Sequence, residues 1–80
     1  MKLNHVESSN IEAIGFTQGQ QISLGRSNIN VMRIQFINGE SYDYYEIPKE
    51  VFDAFLASES KGKFFHASIK EKYVFEKVVK

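Results

Sequence analysis

Phe36-Ile-Asn-Gly-Glu-Ser-Tyr-Asp-Tyr-Tyr45, followed at once by Glu46-Ile47-Pro48, decides the fold. Asn38-Gly39 lies between runs of β-branched and aromatic residues. Both turn residues tolerate the positive φ of tight hairpins, so the stretch predicts a β-hairpin. Pro48 is the chain's one proline. It falls where a strand should end and a helix begin, and its missing N–H costs nothing in a first helical turn.

Working outward, Val31–Ile37 reads as the strand entering the hairpin. Met32, Ile34 and Phe36 share one face, and Val31, Arg33, Gln35 and Ile37 share the other. Two registers are open. A two-residue loop at Asn38-Gly39 pairs Gln35 with Tyr42 and Arg33 with Tyr44, leaving both tyrosines on the polar side. A three-residue loop with a bulge at Gly39 or Glu40 pairs Phe36 with Tyr42 and Ile34 with Tyr44, moving both into the core. Hydrophobic matching favours the second.

Upstream, Met1–His5 reads as a frayed lead-in and Ile11–Phe16 as a strand, with Ile11, Ala13 and Gly15 opposite Ile14 and Phe16. Thr17–Asn30 is a polar excursion in which Gln21-Ile22-Ser23-Leu24 offers one short strand. Downstream, Val51, Phe52, Phe55 and Leu56 form the apolar stripe of a helix over about Pro48–Ala57, with Glu50 near its positive end. Ser60 is the expected cap of a second helix running to about Lys70, with Phe64, Phe65, Ala67 and Ile69 as its apolar members. Tyr73–Val79 alternates and returns as a strand or an extended tail. The expected architecture is a single α+β domain over residues 1–80: a small antiparallel β-meander of three to four strands, then two short helices packed on one face.

Composition narrows the chemistry. Eighty residues make one domain near the lower limit for folding alone, so seven Phe and four Tyr carry much of the core. The absence of cysteine excludes disulfides and thiolate metal sites. No apolar run reaches a membrane span, and no signal-peptide core follows Met1-Lys-Leu-Asn-His5, so a soluble cytoplasmic protein is expected. His5 and His66 lie far apart without further ligands at a recognisable spacing. Asp43, Glu46 and Glu50 read as a solvated acidic rim rather than an acid–base pair, and the glycines do not form a phosphate loop. No catalytic residue, metal or cofactor is expected.

The formal net charge is zero, yet the charges are segregated. Residues 39–60 set Lys49 against six carboxylates, a net −5, and residues 61–80 set six lysines against Glu71 and Glu76, a net +4. Each block is a solvated face, or the two attract each other across the fold or between subunits. In the basic block, Lys61-Gly-Lys-Phe-Phe-His66 and Ile69-Lys-Glu-Lys-Tyr73 interleave cations with rings. Phosphates demand the former and unpaired bases stack on the latter. The structural alternative assigns Phe64, Phe65 and Tyr73 to the core.

Together these residues resemble the KTSC family, a short domain named for its place at the C-terminus of some lysyl-tRNA synthetases and also found alone in bacteria. The resemblance runs through Ser9–Phe16, Phe36-Ile-Asn38-Gly39, Tyr42-Asp-Tyr44, Ile47-Pro48, Ser60-Lys-Gly62-Lys-Phe64-Phe65, Ile69-Lys70 and Tyr73. The chain departs from the family pattern in the longer connection from Phe16 to Met32 and in His66, where asparagine is usual. The resemblance implies a binding module, with RNA suggested by the synthetase context. Lys61, Lys63, Lys70 and Lys72 would then contact phosphate, and Tyr42 or Tyr44 with Arg33 would form the stacking surface. Two other readings stand beside it. One is a binder of a nucleotide-like small molecule, possible as a homo-oligomer, with Thr17–Asn30 as lid. The other is a protein–protein interaction module.

Overall fold

The structure, a computed structural model, describes residues 3–20 and 29–78. Five strands form one antiparallel sheet in chain order: β1 Leu3–His5, β2 Ile11–Gln20, β3 Ile29–Phe36, β4 Ser41–Tyr45 and β5 Phe75–Lys77. Helices α1, Lys49–Ala57, and α2, Lys61–Ser68, lie between β4 and β5 and cover one face of the sheet. The expected α+β plan is present. The sheet is wider than three to four strands because both ends of the chain pair. Leu3–His5, expected to fray, runs against Gly15–Ala13, and Phe75 pairs with Tyr44.

The hairpin turns on three residues, Ile37-Asn38-Gly39. Gly39 N–H donates to the Phe36 carbonyl, Phe36 N–H donates to Glu40, and Gly39 has φ +93°, a conformation that glycine adopts without strain. The register therefore sets Ile34 against Tyr42 and Met32 against Tyr44. Neither sequence register has these partners. The face is nonetheless the core face, because a two-residue offset preserves the alternation that a one-residue slip would invert.

Two bulges set the phase of β2. Between Ile11 and Ala13 the strand spends one extra residue against β3, so Ile11 and Ile14 both reach the core, where simple alternation had separated them. A second shift between Thr17 and Gln20 coincides with Gly19 at φ 67°. The excursion expected from Thr17 thus begins as β2, and the short strand expected at Gln21–Leu24 lies outside the described residues.

Pro48 precedes α1 as its N-cap, in extended conformation, and its carbonyl accepts from Val51 and Phe52. Phe52 and Phe55 point into the sheet, with Phe52 stacked on Phe16 at 4.5 Å and Phe55 on Phe64 of α2 at 5.3 Å. Glu46, at φ 59°, turns the chain off β4; its N–H and that of Ile47 donate to the Asn30 carbonyl, while Asn30 Nδ2 donates to Ile47 O. That clamp seats the fully buried Ile47. Ser60 Oγ accepts from Lys63 N–H, the cap expected of α2.

Candidate nucleic-acid interface

The expected binding residues do not converge on one spot: Lys61 and Lys63 lie on α2, Lys70 and Lys72 in the link after it, Tyr42 and Tyr44 on β4, and Arg33 on β3. Lys61 and Lys63 occupy the first turn, where α2 meets the Glu7–Asn10 loop. They line an open groove of about 710 Å³ with Ser8, Ser9, Asn10, Gly62 and His66. Ser8 Oγ accepts from the N–H groups of Asn10 and Ile11, which holds the loop in a tight turn. The Lys61 ammonium donates to Ser58 O. A glycine inside a helix costs about 1 kcal/mol against alanine. A methyl at Gly62 would meet Asn10 Nδ2 at an ordinary 3.6 Å, so packing does not demand the glycine.

A second recess of about 430 Å³ continues from this groove onto Ile11, Phe36, Ile37 and Phe65. Behind it, Phe36 and Phe65 meet edge to face at 5.6 Å. The same two rings help to wall a third pocket, of about 370 Å³, that also takes Tyr42, Tyr44, Phe75, Lys70 and Glu71. Here three of the expected residues, Tyr42, Tyr44 and Lys70, come together. Lys72 is exposed in the link to β5 and lines none of these three recesses.

Arg33 is not beside the tyrosines. Its cross-strand partner is Asp43, on the face away from the helices, and the guanidinium grips that carboxylate through Nε at 2.7 Å and Nη2 at 2.9 Å. This bond holds the Arg33 pKa above its ordinary value. Strand alternation is the physical reason: Arg33 lies one residue from both Met32 and Ile34, the partners of Tyr44 and Tyr42. A stacking surface of Arg33 with Tyr42 or Tyr44 is therefore not formed.

The tyrosines differ from each other. Tyr42 is half-buried and donates to Glu40 at 3.1 Å, and Glu40 also pairs with Lys77 at 3.4 Å, one link between the acidic and basic blocks. Tyr44 is 3% exposed, and burial, helped by Tyr42, pushes its phenol up to about 12. The neutral form is thus favoured by folding. That stabilisation is complete below pH 10, where an unfolded tyrosine stays neutral, and is lost as pH rises through 12. The stability advantage of the native chain over Tyr44→Phe is expected to fall by about 1 kcal/mol between pH 9 and 11 and about 2 by pH 12. Urea denaturation of both chains across that range checks this; parallel curves would place the phenol in water.

Phe75 is the pocket residue that sequence reasoning left unassigned. Its ring stacks on Tyr44 at 5.2 Å and meets Tyr42 at 5.8 Å, though 48% of the residue stays exposed. The alternation of Tyr73–Val79 carried the signal, but the β4 pairing that sets its face is a long-range fact. Among the described residues, no cluster of three or more His, Asp or Glu could hold a metal ion, and no helix is long and apolar enough to cross a membrane.

Comparison with known proteins supplies the family. The KTSC domain model matches residues 26–73, the stretch holding β3, β4 and both helices. A protein of Tsukamurella paurometabola is 41% identical over 68 residues, covering 85% of this chain and 88% of its own. An uncharacterized protein of Stutzerimonas stutzeri is 29% identical over 73 residues, 91% of this chain and 90% of its own. The crystal structure of a KTSC domain protein from Yersinia pestis is similar across 98% of this chain and 97% of that one, with a TM-score of 0.80 and 29% identity.

Proposed function

The chain belongs to the KTSC domain family, and from that membership we propose that it is a non-enzymatic module that binds RNA along α2. The observation that carries the reading is the alternation of cations and rings on this helix and its flanks. Lys61 and Lys63 stand over the first groove, Phe65 and Phe36 wall the next two recesses, and Lys70 stands at the aromatic pocket. Lys72 extends the row of charge. Exposed lysines suit phosphates as point charges, and rings beside them suit bases that are not paired. Arg33, neutralised by Asp43 on the far face, takes no part in this interface.

Charge-led binding has a salt signature. Four lysine–phosphate contacts on a single strand give a slope of about −3 in log affinity against log salt, or about 50-fold weaker binding between 50 and 200 mM. Fluorescence anisotropy of a labelled single-stranded RNA and a labelled tRNA measures it. No saturable binding at 50 mM salt sinks the RNA reading.

A further inference from the structure

We infer that the pocket between α2 and β5 receives one unstacked nucleobase, with the attached phosphate met by Lys70. This deepens the RNA reading and rests on it only in part, because a base with its phosphate can come from RNA or from a free nucleotide.

Five rings, Phe36, Tyr42, Tyr44, Phe65 and Phe75, line a space of about 370 Å³, at the small end of ligand sites and ample for a purine or pyrimidine. Phe65 packs edge to face on Tyr44 at 5.7 Å and both residues are buried, so packed rings close the rear of the pocket. Phe75 is different. It rides a three-residue edge strand and keeps about half its surface exposed beside the other four rings. A planar partner would cover it.

The second observation is the Tyr44 hydroxyl. Its residue is almost wholly buried, and the hydroxyl makes no hydrogen bond among the described residues. Among the described residues no fully enclosed side-chain oxygen lacks a partner, and Tyr44 is one of the residues that line the pocket. Buried phenols ordinarily find an acceptor, and the edge of a base supplies one. Glu71 at the rim can accept from an exocyclic amine. Lys70 argues against the other guest of aromatic pockets, a quaternary ammonium, which the rings attract but a lysine at the mouth repels.

The test titrates the 80-residue chain with AMP, UMP, choline and a single-stranded oligonucleotide, reading the ring protons of Phe75 and Tyr44 by NMR. AMP or UMP is expected to shift both rings saturably. Phe75→Ala, which removes an exposed ring, is expected to weaken that binding about tenfold, with Tyr44→Phe weakening it a few-fold. Circular dichroism confirms that each variant is folded. Shifts with AMP but no binding of the oligonucleotide would support the pocket and overturn the RNA reading. Salt-dependent RNA binding that Phe75→Ala leaves unchanged would do the reverse. Shifts with choline and none with AMP would overturn the inference.

Discussion

Phe55→Ala is expected to lower the stability of the domain by about 4 kcal/mol, the largest loss of any single truncation outside the sheet. Phe55 is fully buried in the middle of α1, inside the core built by Ile11, Ile14, Met32, Ile34 and Ile69. Its ring also stacks on Phe64, so it fastens α1 to α2 as well as to the sheet. Truncation removes the ring and leaves a cavity that strands on one side and helices on the other cannot close without shifting backbone. An 80-residue chain has about 4–12 kcal/mol to lose. At about 4–8 °C per kcal/mol, the melting temperature should fall by some 15–30 °C. Thermal denaturation followed by circular dichroism measures it. A fall below about 5 °C would mean that the ring is not in the core.

The elements readable in sequence are those whose information is local. Pro48 and the Val51–Leu56 stripe fix α1, and Ser60 fixes the start of α2, because capping and helical periodicity act within a few residues. The core face of β3 was likewise readable from Met32, Ile34 and Phe36. The hairpin partners were not, because Gly39 adds a residue whose effect on register depends on the whole turn. Ile11 and Ile14 share a face only through a bulge, which follows from pairing with β3 and leaves no mark in β2 alone. The edge strands β1 and β5 are short pieces that exist because a neighbour offers hydrogen bonds.

The candidate site divides in the same way. Lysines interleaved with rings were visible as types and spacing, and so were Tyr42 and Tyr44 as a pair. Arg33 was joined to them only under the one-residue-shifted register, and Asp43 is what the true register gives it instead. Phe75 needed the return of the chain along β4. Positions on one helix are legible; juxtapositions across the sheet are not.

Reversing Lys61 and Lys63 together is expected to remove most RNA affinity while leaving the fold intact. The fold survives because a carboxylate in the first turn of a helix meets the positive end of its dipole, so Glu at both positions favours α2. The Lys63 N–H donates to Ser60 Oγ from the backbone and does not need the side chain of residue 63, so the side-chain bond lost is the one from Lys61 to Ser58 O at the helix entrance. What binding loses is contact with phosphate. Two of four charges gone flatten the salt slope from about −3 to about −1.4, so binding weakens about 7-fold rather than 50-fold between 50 and 200 mM salt. Repulsion from two new carboxylates beside Glu7 and Glu59 lowers affinity further at low salt. Lys70→Glu with Lys72→Glu should flatten the slope equally, at the other end of the same track. Lys49→Glu is the control, since that lysine is exposed at the start of α1 and is paired with Asp53 at 2.9 Å. Loss in proportion to the charge removed, with Lys49→Glu costing about half as much as either pair, would mean that RNA senses only net charge; loss confined to the two C-terminal pairs would place it along α2 and the link that follows it.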